Sequence, residues 1–153
     1  LSAMDYIQIQ QLVNRINFAL DYCSNGGKDF ADLFADDGRY VIDNGDGKPR
    51  IISGREQLMA MASGPACRAT RNPPSPVILH TAESLVIEAS PSGATGTSYA
   101  IYPSFKGKYA SEDIAGQIGL YHDEFVRTAG GWRIKARRHE SSPAAGGKSP
   151  IGS

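Results

Sequence analysis

Ile9, Leu12, Val13, Ile16, Leu20 and Cys23 recur three and four residues apart, which sets them on one stripe of a single N-terminal helix. From Val77 onward the pattern changes to strand-like runs separated by turn residues. A chain that spends its helices first and its strands last cannot wind a parallel βαβ sheet. It folds as α+β, with an antiparallel sheet that must bury one face against the helix.

Local signals set the boundaries. Asp5 followed by Gln8 reads as a capping box at the helix start, and Ser24-Asn25-Gly26-Gly27 reads as its stop. A short second helix is expected over Lys28 to Phe34, with Phe30, Leu33 and Phe34 as its apolar side. Arg39–Asp43 and Arg50–Ser53 read as a strand pair around Asn44-Gly45-Asp46-Gly47. Gly54 to Ala62 reads as a helix with Leu58, Met59 and Met61 inward, and Gly64 to Pro76 as a proline-rich loop. A four-stranded meander follows: Val77–Ala89, Thr95–Tyr102, Gln117–Arg127 and Trp132–Arg138. The expected architecture is one domain over residues 1–153, with a core at about 5–138 and a loose tail from 141 to 153. Its strongly curved sheet wraps the N-terminal helices and has a concave face able to enclose a pocket.

Charge narrows the function. Sixteen Lys and Arg balance sixteen Asp and Glu, so the basic excess that drives phosphate binding is missing and no nucleic-acid partner is expected. Arg133, Lys135, Arg137 and Arg138 form a local basic stripe, read as the wet face of an edge strand. Cys23 and Cys67 are too few and too far apart to suggest a disulfide scaffold or a zinc site; Cys23, on the helix stripe, reads as a small buried hydrophobe. No apolar run approaches the ~20 residues of a membrane span, and no signal peptide is visible. Leu1-Ser2-Ala3 ahead of Met4 reads as residues preceding a native start, and the expected location is cytoplasmic.

Few residues are suited to chemistry. Asp21 sits near the end of the first helix, one turn after Asn17: a solvated helix-end carboxylate, or a base or orienting group at a pocket mouth. His80 lies in the run Val77-Ile78-Leu79-His80-Thr81-Ala82. Counted by twos, it shares a face with Ala82, Ser84 and Val86, while Leu79, Thr81, Leu85 and Ile87 mostly make the other. A lone strand histidine is often structural, yet an ordinary pKa of ~6.5 makes this one the best general base in the chain. His122 and His139 read as exposed so long as the strand phase holds. Gly119, Tyr121, Asp123, Phe125 and Arg127 share one face, and Tyr40, Tyr99 and Tyr121 could line a pocket with aromatic surface and hydroxyl groups. No metal-ligand spacing, nucleophile elbow or dinucleotide fingerprint is present.

The stretch Ile9 to Asp21, then Phe30 to Asp37, resembles the N-terminal helices of SnoaL-like proteins, within the nuclear-transport-factor-2-like superfamily. So does Gly119-x-Tyr121-x-Asp123-Glu124-Phe125-x-Arg127, followed by Gly131-Trp132-Arg133-Ile134 and Arg137. The resemblance spans about residues 5 to 138. It is closest to lyase-type members: scytalone dehydratase, bile-acid dehydratase and hexachlorocyclohexane dehydrochlorinase. It implies a cone-shaped α+β barrel with an apolar pocket, no cofactor, and a homodimer or homotrimer. It also implies that Asp21 orients His80 and that His80 removes a proton from an apolar, ring-containing substrate. Two departures stand out. Ser84 occupies the position four after the histidine where many relatives carry asparagine, and no second histidine lies on Thr95–Tyr102. The general acid is therefore open among Tyr40, Tyr121 and Arg127, with Tyr99 and Phe125 as further lining residues.

Three functions remain: a dehydratase or other β-elimination lyase, an isomerase or cyclase using the same base, and a non-enzymatic binding or assembly module. An oligomer is expected through the sheet face not covered by the first helix, taken to carry Trp132 and Ile134.

Overall fold

The computed structural model describes residues 1–63, 77–105, 114–141 and 151, with backbone alone for 77–78, 102–105 and 114–117. The segment Gly64 to Pro76, including Cys67, lies outside the described residues. Helix α1 (Ala3–Asp21) leads through a 3-10 turn (Ser24–Gly27) to a single-turn α2 (Lys28–Ala31). Strands β1 (Phe34–Asp43) and β2 (Arg50–Ser53) and helix α3 (Gly54–Met61) follow. Then come β3 (Val77–Ile78), β4 (Thr81–Ser90), β5 (Gly93–Phe105), β6 (Ile114–Thr128) and β7 (Gly131–Glu140). The curved sheet runs β2-β1-β7-β6-β5-β3, with β4 also on β5. It is α+β as expected, but it does not close into a barrel: β2 ends one side and β3 and β4 the other.

The helix stripe packs as its spacing predicts. Ile9, Leu12, Val13 and Ile16 join Phe30, Phe34, Tyr40, Leu58, Phe125, Trp132 and Ile134 in the buried core. The helix starts one turn earlier than expected, because Ser2 is the cap and Asp5 the third helical residue. Asp5 Oδ2 accepts from the Ser2 N–H at 2.8 Å and from its hydroxyl at 2.9 Å. Its Oδ1 accepts from Trp132 Nε1 at 3.0 Å. One carboxylate thus caps the helix and ties it to β7. The second helix stops at Ala31 because Phe34 already pairs with Ile134 of the parallel neighbour β7. Gly27 closes the turn at φ +82°, and a Cβ there would lie 2.3 Å from the Met59 carbonyl oxygen. Only glycine lets that turn approach α3 so closely.

Two bulges decide which residues face inward. In β7 the pairs Tyr121↔His139, Asp123↔Arg137 and Glu124↔Ala136 give way to Phe125↔Ile134, so Lys135 is one extra residue against β6. Trp132 and Ile134 face the helix on one side of this bulge, and Arg137 does so on the other. The basic stripe is therefore not the wet face of an edge strand. β7 is central, between β1 and β6, and Arg137 is 1 % exposed. His139, opposite Tyr121, turns inward for the same reason, correcting its expected exposure. In β4 the register on β5 shifts between Glu83 and Val86, with Ser84 at φ +56°. Ala82, Leu85 and Ile87 consequently pack on the core, whereas Ser84 and Val86 do not share the His80 face. A bulge inserts one residue and so reverses the period-two phase beyond it.

Trp132 and Ile134 are buried under α1, so they cannot form an assembly face. The large apolar residues exposed on the described part of the sheet include Ile51, Val86, Tyr99 and Ile118. Cys23 is buried but disulfide-bonded. Separation along the chain was a weak argument against a bond, since loop-closure entropy grows only slowly with length. In the tail, Ile151 is half-buried and lines a hollow with Val86, Tyr99 and Leu120. No described helix is long and apolar enough to cross a membrane.

Asp5→Ala removes the cap and the acceptor of a buried indole N–H together. It is expected to lower unfolding stability by about 1–3 kcal/mol, read as a lower urea midpoint. Asp29→Ala, at an exposed position of α2, should leave the unfolding free energy within about 0.5 kcal/mol of the parent.

Candidate functional site

α1 ends where the sheet edge begins. β3 and β4 would be one strand, since the pairs Ile78↔Ser104 and Thr81↔Ile101 keep one register, but Leu79 and His80 drop out of the ladder. The His80 N–H donates instead to Asp21 Oδ2 at 2.8 Å. The ring Nδ1 of His80 lies 2.5 Å from Asp21 Oδ1. Each carboxylate oxygen thus holds one nitrogen of the same residue. The Asp21 side chain is 7 % exposed and that of His80 18 %, so the pair is withdrawn from water but reachable. In the neutral ring with Nδ1–H given to the carboxylate, the lone pair lies on Nε2.

His80 and Asp21 line a groove of about 300 Å³ together with Asn14, Asn17, Phe18, Tyr22 and residues 79–83. As formed by the described residues it is open to solvent and lined by both polar and apolar side chains. Phe18 and Tyr22 are 67 % and 60 % exposed and stack at 6.4 Å between ring centroids, making an aromatic rim. Neither they nor Asn17 were singled out in the sequence. The signal was present: Asn14, Phe18 and Tyr22 repeat every four residues beside Asn17 and Asp21.

Behind the groove lies a buried polar network. Arg137 donates through Nε to Asp123 Oδ1 at 2.8 Å and through a terminal nitrogen to Oδ2 at 2.7 Å. Its other terminal nitrogen donates to Asn17 Oδ1 at 3.3 Å. The guanidinium stacks over the Tyr121 ring at 4.2 Å. Burial works against its charge, but the charge and hydrogen bonds of Asp123 more than restore it and hold its pKa above the ordinary arginine value. Burial, then the neighbouring Tyr121, pushes the Tyr40 phenol well above its ordinary range. Tyr40 is thus a neutral phenol at any physiological pH.

The other sequence-derived lining residues are dispersed. Phe125 is in the hydrophobic core. Tyr99 is 49 % exposed, beside Ile151. Arg127 is over half exposed, pairs with Asp5 and covers Trp132 at 4.9 Å, which makes it part of the helix-start anchor. His122 lies 3.3 Å from Glu140, and both line a separate concavity with Arg39 and Arg138. His139 packs its ring 5.3 Å from that of Tyr121. Burial, then the charges of His80 and Arg137, pushes its pKa down to about 4. Among the described residues no group of three or more His, Cys, Asp or Glu is placed to hold a metal ion.

Comparison with known proteins agrees with this architecture. The model of the SnoaL-like domain family matches residues 2–138. No curated protein sequence matches significantly. Among solved structures, a variant of Rv3472, a protein of unknown function from Mycobacterium tuberculosis, superposes with a TM-score of 0.70 at 23% identity, covering 91% of this chain and 72% of its own. An NTF2-like protein with a cystatin-like fold from Novosphingobium aromaticivorans gives 0.68 at 20% identity, covering 94% and 85%. A candidate dehydratase of the NTF2-like family from Streptomyces avermitilis gives 0.68 at 15% identity, covering 94% and 100%. At these identities the likeness is one of fold.

The depressed His139 pKa carries a stability consequence. Between about pH 4 and the ordinary histidine value of ~6.5 the unfolded chain binds the proton and the folded one does not, so folding is favoured as pH rises. His139's contribution is complete above that window and is lost as pH falls through it. Melting temperatures from pH 7 to 4 should therefore fall less steeply in His139→Gln than in the parent protein. Parallel curves for the two would contradict the assignment.

Proposed function

The chain belongs to the SnoaL-like domain family, and we propose that it is a cofactor-independent acid/base catalyst in which His80 removes a proton from a ring-containing small molecule. The family's fold includes enzymes such as a candidate dehydratase, so the reaction class proposed is a lyase, a dehydration or related β-elimination. An isomerase or cyclase would share its first step. The observation that carries the reading is the two-point hold of His80 by Asp21, at 2.8 and 2.5 Å. His80 has its backbone and its ring bound to the same buried carboxylate, at the wall of a groove.

The chemistry follows from that hold. Nε2 takes the proton from a carbon next to a carbonyl, and the C–H electron pair moves into the enolate. The imidazolium that forms is stabilised by Asp21, which stays ionised and fixes the tautomer. In an elimination the enolate re-forms its carbonyl as the β-substituent departs, and a hydroxyl leaves as water with the proton that His80 took up. In an isomerisation the same proton returns to a different carbon. Phe18 and Tyr22 supply aromatic surface for a ring at the mouth, and Leu79 and Ala82 supply apolar wall.

The test is proton exchange and turnover on a panel of cyclic ketones and β-hydroxy ketones, followed by NMR in D2O. His80→Ala should lose about 10²–10⁴ in rate. Asp21→Asn keeps an acceptor for the His80 N–H but removes the charge, so it should also lose most of the rate. The double variant should be scarcely slower than the slower single one, because residues acting as one unit are not additive. Folded His80→Ala protein with near-parental turnover would remove His80 as the base.

A further inference from the structure

The proposed reaction needs a donor for the oxygen on which negative charge gathers, and the tyrosines first considered for that part are enclosed behind the groove. Asn17 is not. It lines the groove one helical turn before Asp21, about 6 Å along the helix axis, although the residue as a whole is only 9 % exposed.

Its amide has a dictated orientation. The only groups on an arginine fork are donors, so the end of the Asn17 amide facing Arg137 must be the oxygen, as the 3.3 Å bond has it. Arg137 itself cannot rotate away, because Asp123 grips it at 2.8 and 2.7 Å and Tyr121 stacks on it. The amide nitrogen must then point away from the guanidinium. Among the described residues Nδ2 finds no acceptor, while Asn14, one turn earlier, is exposed to water. The polarity reinforces the geometry: a cation on the oxygen end draws charge from the amide and makes its N–H a stronger donor.

We infer that Asn17 Nδ2 is the hydrogen-bond donor to a carbonyl oxygen of the substrate, held in register by Arg137 as a positioning residue. The inference rests on the groove being the substrate site and names the class of ligand it takes: a ring bearing a carbonyl, its ring against Phe18 and Tyr22 and its oxygen on Asn17. A carbonyl carbon and the carbon that loses its proton are neighbours, which is why donor and base belong on adjacent turns of one wall. The bond strengthens as the oxygen becomes an enolate, so the donor favours the reacting state over the bound ketone.

The experiment compares 1-tetralone with tetralin, which share a fused ring pair and differ in the carbonyl. Binding is followed by NMR, including the Asn17 side-chain amide signals. In the parent protein tetralone should bind about fivefold more tightly, the worth of one net hydrogen bond, and should move an Asn17 amide proton downfield while tetralin does not. Asn17→Asp keeps an acceptor for Arg137 but has no donor, so it should fold normally and lose the preference while still binding tetralin. The double variant Arg137→Gln, Asp123→Asn no longer dictates the amide orientation. It should weaken tetralone binding and leave tetralin binding as it was, a split that loosened packing alone would not produce. Equal affinity for the two probes in the parent protein, or a preference that survives in Asn17→Asp, overturns the inference and leaves His80 as base untouched. Failure of both probes to bind overturns the groove as a site for ring compounds, and the donor with it.

Discussion

A full charge pair sits inside this protein, and much of the surrounding arrangement answers to it. Arg137 and Asp123 are 1 % and 2 % exposed. An ion so removed from water is tolerated only when its partner and the remaining hydrogen-bonding groups are in place. The two residues face each other across β6 and β7, and Asn17 brings α1 to the same guanidinium. The pair thereby fixes three elements relative to one another. Removing one member leaves the other uncompensated, whereas well-packed apolar replacement of both could be neutral for stability.

The site forms at a place where the sheet has run out of strands. At an interior strand the His80 N–H would have a carbonyl to meet. At the edge it meets the carboxylate that ends α1. One acidic side chain therefore satisfies an edge N–H, fixes a ring and holds the helix end against the sheet. The start of the same helix uses a related device, with Asp5 as cap, indole acceptor and partner of Arg127. Both ends of α1 are tied to the sheet through aspartate, and the apolar stripe between them supplies the burial.

Much of this was legible in the residues. The three-and-four spacing of Ile9 to Ile16 marked the buried side of α1, and the order of helices before strands marked an α+β chain. Asp21 and His80 were named from a resemblance and from the scarcity of other bases, not from any pattern showing that they touch. Asn17, Phe18 and Tyr22 could have been drawn from the same helix, since they occupy positions around Asp21 at helical spacing. Amphipathic reading ranks residues by polarity, however, and an asparagine on the inner side reads as a flaw in a stripe rather than as part of a site.

What the sequence by itself determined is whatever depends on neighbours along the chain: the helix stripe, the glycine-bearing turns, the strand segments and the balance of charge. Tertiary structure decided the phase of two strands. A bulge is a relation between two strands, one residue set against none, so nothing within Gly131–Glu140 announces it. Yet Lys135, as the extra residue, turns Arg137 and His139 into the interior that strict alternation after Ile134 would deny them. Ser84 does the converse on β4, giving the core Leu85 and Ile87. The break at Leu79 and His80 is of the same kind: the run from Val77 is continuous as sequence, yet the pairing stops there, and the His80 N–H is bonded to Asp21, fifty-nine residues earlier. Periodicity is local, whereas the face a residue presents depends on every pairing between it and the core.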